Sequence, residues 1–128
     1  MKLKVITADA ILFNDHAKSL NISERTGSFT ILKDHAPLIT IAKDFVSTVQ
    51  TETGDLTYIA ANFGTLKVLN NEVFLIIDYG VAGTDKENAR MNLMNLKKEM
   101  VEKHGDLGDD VIANLEFELI KRTRELRI

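Results

Sequence analysis

The chain has 128 residues, no cysteine, one proline, no tryptophan and a net charge of −3, with 45% hydrophobic residues. That length fits one domain, or one domain with an appendage, whose core must be filled by aliphatic side chains and six phenylalanines. The composition excludes a disulfide framework and a thiolate metal site, gives no electrostatic ground for nucleic acid, and holds no apolar run near the roughly 18 residues that span a bilayer.

Up to about Gly83 the hydrophobic period is two. Leu3, Val5 and Thr7 alternate with Lys2, Lys4 and Ile6, and Leu20 and Ile22 alternate with Ser19 and Asn21. The run from Gly27 to Thr40 contains the single proline, Pro37, and reads as an exposed polar loop held between strands, a surface suited to contact. Phe45–Thr51 and Leu56–Ala61 flank Glu52-Thr53-Gly54-Asp55, a hairpin turn. Leu66–Leu69 and Val73–Ile77 flank Asn70-Asn71-Glu72, where asparagine tolerates the positive φ of a tight turn. Between them, Asn62-Phe63-Gly64 reads as a turn or bulge, because a phosphate loop would need more glycines and a following helix. Many short strands with regular turns predict an all-β sandwich or barrel over 1–83.

After Gly83 the period becomes helical. Thr84-Asp85-Lys86-Glu87 has the spacing of a capping box, and Ala89, Leu93, Leu96 and Met100 share one face. His104-Gly105-Asp106-Leu107-Gly108 breaks the helix, Asp109 caps the next, and Ile112, Leu115, Leu119 and Leu126 form its stripe. Residues 84–128 therefore predict an antiparallel helical hairpin, with Met91, Met94 and Met100 packing between its helices and Gly80–Gly83 as a hinge.

No catalytic centre emerges. Asp15-His16 and Asp34-His35 pair an acid with an imidazole, but neighbours on a strand point to opposite faces, and neither pair has a nucleophile beside it. His16, His35 and His104 lack metal-ligand spacing, so neither a metal nor a cofactor is expected. The basic cluster Lys121, Arg122, Arg124 and Arg127 occupies the last turns of the second predicted helix, where cations favour the helix dipole and can also meet an acidic partner.

With both halves in view, the chain resembles the epsilon subunit of F-type ATP synthase along essentially its whole length. Lys4-Val5-Ile6-Thr7 with Leu12-Phe13 is similar to the family's first hairpin. Gly27 to Leu38 resembles its Gly-x-x-Gly-Ile-Leu-Pro-Gly-His-Ala-Pro-Leu stretch, and Tyr58-Ile59-Ala60 with Gly64-x-Leu66-x-Val68 the next landmark. His104-Gly105-Asp106 and Glu125-Leu126-Arg127-Ile128 resemble the hairpin loop and close of some bacterial members. Ala8-Asp9-Ala10, Lys33-Asp34 and Asn62-Phe63-Gly64 stand where the family usually has a Pro-acid-Gly turn, a Pro-Gly pair and a double glycine, which suggests a divergent member.

The resemblance implies a non-catalytic subunit at the foot of the central stalk, peripheral on the cytoplasmic face of the membrane and reaching it only through the complex. Its sandwich would clamp the gamma subunit and meet the polar loops of the rotor ring through Ser28, Lys33, Asp34, His35, Ala36 and Pro37. Its extended hairpin would inhibit hydrolysis by lying against gamma and the catalytic alpha and beta subunits, with Lys121, Arg122, Arg124 and Arg127 meeting acidic partner surfaces. Several members bind ATP through an Ile/Leu-Asp-x-x-Arg-Ala motif. Here Asp85 and Ala89 match it, Asn88 replaces the arginine, and of the further basic positions, which fall on Asn95, Lys121 and Glu125, only Lys121 keeps its charge. The nucleotide site is therefore expected to be degenerate. The other class of function that fits is a stand-alone β-sandwich adaptor for protein partners.

Overall fold

Seven strands occupy most of residues 2–83 in the computed structural model, which describes residues 1–103. They are β1 (Lys2–Ile6), β2 (Ile11–Glu24), β3 (Gly27–Leu32), β4 (Leu38–Thr51), β5 (Leu56–Leu69), β6 (Glu72–Ile77) and β7 (Gly80–Gly83), followed by helix α1 (Lys86–Lys103). The strands are hydrogen-bonded in the order β1-β6-β5-β4-β2-β3, β1 also pairs with β2, and β7 pairs with β5. The β1–β6 pairing is parallel, the others antiparallel.

Three strands are 14 residues long and serve both layers. Each bends where two successive residues turn outward, so that the inward phase shifts by one. Ala17 and Leu20 both face the core across a register shift in β2. Ala42 and Phe45 do so in β4, where Asp44 takes φ 47°, and Ala61 and Gly64 do so in β5. The outward pairs are Lys18-Ser19, Lys43-Asp44 and Asn62-Phe63. One layer then comprises β3, the second half of β2, the second half of β4, the first half of β5, and β7. The other comprises the first half of β2, β1, β6, the second half of β5 and the first half of β4. Between them lies one core that includes Leu3, Val5, Leu20, Ile22, Ile31, Phe45, Val49, Leu66, Leu75 and Ile77.

The strand from β6 into β7 follows the same bend. Ile77 faces the core, and a Cβ on Gly80 would meet Ile77, Ile59 and Leu12, so Gly80 faces inward too. Asp78 and Tyr79 therefore lie on the outside of the corner. Asp78 closes the ladder there: its N–H donates to the Phe63 carbonyl, and its Oδ1 accepts from the Phe63 N–H at 3.2 Å and the Tyr79 N–H at 2.8 Å.

Helix α1 covers the outer face of the β3-to-β7 layer. Ala89 and Leu93 pack on Val46, Ala60, Tyr58, Tyr79 and Val81, while Leu96 and Met100 are half-buried. The side chains of Lys86, Asn92 and Lys97 fasten it to Ser23 Oγ (3.0 Å), the Ala82 carbonyl (2.9 Å) and Asn62 Oδ1 (2.8 Å). Its cap is one residue later than the Thr84/Glu87 box predicted above. Asp85 Oδ1 accepts from the Asn88 N–H at 2.8 Å, and Asn88 Oδ1 reaches back to the Thr84 N–H at 3.0 Å. Asparagine can accept as glutamate does.

Two further expectations need correction. Gly80–Gly83 is a strand paired with β5, not a free hinge: Tyr58, Ile59, Ala60 and Ala61 stand opposite it. Gly27–Leu32 is also a strand, so the loop in that run shrinks to 33–37. The turn expectations at 52–55 and 70–72 hold, with Gly54 at φ 93° and Asn70 and Asn71 at 52° and 63°. The predicted second helix, and with it Lys121, Arg122, Arg124 and Arg127, lies outside the described residues.

Candidate functional site

The outer face of the second layer carries no helix among the described residues, and its side chains fall into rows. Cross-strand neighbours point the same way, so register alone assigns them. Ile39, Lys67, Phe74, Lys4 and Asn14 form one row. Ile41, Thr65, Ile76 and Ile6 form the next, and Leu69, Glu72, Lys2 and His16 the one nearest the β5–β6 turn. Ile39 is 72% exposed and Ile41 49%, whereas Thr65 and Ile76 beside Ile41 are buried, so the exposed apolar surface lies on the β4 side of this face. Isoleucines are costly to leave in water in a contiguous patch, at roughly 25 cal/mol per Å2 of apolar surface. Lys2, Lys4, Lys43 and Lys67 frame the patch, and none makes an ion pair among the described residues. An apolar centre inside a cationic frame suits a protein surface whose own apolar patch is edged by carboxylates.

The predicted contact loop borders this face. Lys33, Asp34, His35, Ala36 and Pro37 are all exposed and carry the chain from β3 in one layer to β4 in the other. The His35 N–H donates to the Leu32 carbonyl at 3.2 Å, closing a turn whose third residue, Asp34, has φ 61°. Aspartate is among the few side chains that accept that conformation. The Asp34 N–H donates to Asn71 Oδ1 at 3.2 Å, which ties the loop to the β5–β6 turn. His35 Nδ1 lies 2.7 Å from the Ala36 carbonyl and so carries its proton there. Asn71→Ala should cost about 1–2 kcal/mol, because it loses this acceptor and strains a positive φ, and Asn71→Gly should cost less. Urea unfolding of the two variants would show that order.

Ser28 is placed apart from this loop. It is exposed on β3, opposite Ser23, at the far end of a six-residue strand from Lys33. The six predicted contact residues therefore form two places, one at each end of β3. Asp85 and Ala89, which match the family's nucleotide motif, have structural partners here: Asp85 caps α1 and Ala89 is fully buried. The Asp-His pairs form no dyad. Asp15 Oδ1 accepts from the backbone N–H of His16, and Asp34 engages Asn71 through its own N–H. Among the described residues no three metal-capable side chains gather.

The exposed isoleucine pair of β4, Ile39 and Ile41, is not among the sequence-predicted contact residues. Its signal is Leu38-Ile39-Thr40-Ile41-Ala42, apolar on both phases, which means a strand with both faces meant for burial.

Comparison with known proteins agrees with this architecture. Residues 1–82 match the family described as ATP synthase, Delta/Epsilon chain, beta-sandwich domain. The ATP synthase epsilon chain of Gloeothece citriformis is 32% identical over 111 residues, covering 83% of this chain and 79% of that one. That of Sulfurimonas denitrificans is 27% identical over 103 residues, covering 80% and 79%. In fold, the chain is similar to one in the cryo-EM structure of the Euglena gracilis mitochondrial ATP synthase (OSCP/F1/c-ring), with a TM-score of 0.61 at 16% identity, covering 98% of this chain and 78% of that one. A chain of the Tetrahymena thermophila mitochondrial ATP synthase central stalk and c-ring gives 0.54 at 8% identity, covering 97% and 93%. The chain belongs to the delta/epsilon subunit family of F-type ATP synthases, with the family's β-sandwich at its front.

Proposed function

We propose that the chain is a non-catalytic rotor-stalk subunit that docks on gamma through the lysine-framed isoleucine face. The single observation that carries this reading is the exposure of Ile39 and Ile41 on a face that no described helix covers, beside the helix-covered face of the other layer. Burying Ile39 and Ile41 against an apolar patch gives affinity, and Lys2, Lys4, Lys43 and Lys67 give orientation by pairing with carboxylates at its rim.

The loop Lys33-Asp34-His35-Ala36-Pro37 would then project beyond this face toward the rotor ring, with Ser28 offering a second, uncharged contact at the other end of β3. In this arrangement the sandwich, 1–83, couples gamma to the ring at the cytoplasmic face of the membrane. The segment 84–128 acts as the regulatory element, its Lys121, Arg122, Arg124 and Arg127 meeting acidic surfaces of gamma and of the catalytic alpha and beta subunits.

Affinity capture of the full chain from cells should bring down gamma, the catalytic subunits and the ring subunits together. Recovery as a lone monomer would favour the free adaptor instead. Calorimetric titration with ATP should show no binding tighter than millimolar, since Asp85 is occupied as a helix cap and Asn88 replaces the arginine.

A further inference from the structure

At the outer corner between the layers lies a carboxylate with an unanswered oxygen. Asp78 is only 5% exposed, and while its Oδ1 accepts two backbone hydrogen bonds, its Oδ2 is buried without a partner among the described residues. An ionised carboxylate in that state is costly, and a protonated one is not. The described element lying over this corner is α1. Lys97 reaches Asn62 Oδ1 at 2.8 Å on the strand opposite, and its charge acts on Asp78.

We propose that Asp78 is a proton-controlled seat for α1: protonation of Asp78 favours the helix resting on the sandwich, and ionisation favours its release.

The charges around the corner are few. On α1, Lys97 acts on Asp78 through its charge and lines a groove with Arg90, Leu93 and Met94; the same groove is lined by Glu24 at the end of β2, Arg25 of the β2–β3 turn and Asp44 of the β4 bend. Arg25 and Asp44 approach each other at 3.8 Å, and Lys43, in register with Phe63, is exposed. From β5 come the uncharged Asn62 and Phe63, and from the β6–β7 link the Tyr79 phenol. Lys97 is thus the one described cation whose field offsets the carboxylate's burial.

Burial, the larger influence, raises the Asp78 pKa from 3.8 to about 6; the hydrogen bonds from Tyr79 and Phe63 and the charge of Lys97 oppose it. Because Asp78 faces outward at the corner, lifting α1 admits water and returns it toward the ordinary value. The seated form then holds the proton more tightly. Seating is strongest below the ordinary value of 3.8 and is lost as pH rises through about 6. Between pH 7 and pH 5 those two values give about a ten-fold change in the seating equilibrium. This regulation would operate whichever surface of the stalk the sandwich docks on.

Hydrogen exchange on the full chain tests it. Protection of the α1 amides near Leu93, corrected for intrinsic exchange rates, should rise about ten-fold from pH 7 to pH 5. In Asp78→Asn, which is neutral at any pH, protection should be flat and at least as high as in the wild type at pH 5. Lys97→Met should lower protection at pH 7 and steepen the rise, which a merely structural role for the lysine would not do. Should Asp78→Asn fail to fold, the carboxyl 13C resonance of Asp78 decides: titration near 6 in the wild type, and higher in Lys97→Met, supports the seat. An ordinary aspartate titration, wild-type protection unchanged between pH 7 and pH 5, or a rise that persists in Asp78→Asn would overturn it.

Discussion

Replacing Gly83 with alanine is expected to lift the first turns of α1 from the sandwich while leaving the sandwich folded. A Cβ at Gly83 would overlap the backbone N and Cα of Ala89, and backbone cannot swing aside as the end of a side chain can. The helix is least able to yield there, because Asp85 caps it and Asn88 holds the Thr84 N–H within the same turn. Overpacking of this kind costs about 1–3 kcal/mol. The anchor it works against is chiefly Leu93, whose burial contributes about 1.5–3 kcal/mol. The two are close enough that one methyl group can tip the balance. Exchange of the amides from Ala89 to Leu93 should speed by about ten-fold or more, equivalent to some 1.4 kcal/mol, with β4 and β5 unchanged. Protection of α1 equal to that of the wild type would show that the close approach is not what holds the helix. Gly64→Ala is the useful contrast. Its Cβ would strike the Phe45 ring at 2.9 Å and Ile77 at 3.0 Å, so the penalty should fall on the sandwich and not on α1.

The local chemistry of the chain was legible, and most of the bends were not. Asn70 and Asn71 announced a positive-φ turn, Gly54 another, and Ala89 and Leu93 the buried face of a helix; each of these depends on nearest neighbours. The bend at Asn62-Phe63 falls where the sequence reads as a turn or bulge, but those at Lys18-Ser19, Lys43-Asp44 and Asp78-Tyr79 depend on which layer a half-strand joins, which is set by partners up to dozens of residues away. Their mark is a pair of outward residues between two inward ones, which interrupts strict alternation and makes one long strand read as two short ones. Gly80–Gly83 failed as a hinge for a related reason. Its glycines read as flexibility, but Gly80 is pressed against Ile77, Ile59 and Leu12, and Gly83 against Ala89. Site residues were legible only as a string. Ser28 and Lys33 are five positions apart in sequence, and an extended strand of that length, at about 3.3 Å per residue, separates them by roughly 16 Å.

On the docking proposed above, Ile39→Asp combined with Ile41→Asp should abolish binding to gamma without unfolding the chain. Both side chains stand on the outer phase of β4, and both are exposed, so folding of the free subunit does not draw on them. Exposed substitutions of this kind usually change stability by under about 0.5 kcal/mol, though two aspartates in a strand will add to that. In the complex each isoleucine loses its burial, and each carboxylate must be desolvated beside the carboxylates expected on the partner's rim. Truncation of a central interface residue costs about 2 kcal/mol or more, so the pair should weaken binding by at least about a hundred-fold. Lys4→Ala with Lys67→Ala should act differently. Removing two charges from the frame should slow association and flatten its salt dependence, with a smaller loss of affinity. Binding kinetics against the purified gamma subunit, at low and at physiological salt, separate the two effects. Wild-type affinity in the double aspartate variant would move the docking surface elsewhere, most directly to the free edge of β3. There Ser28 and Thr30 are exposed, and a partner strand could pair with Gly27–Leu32 instead.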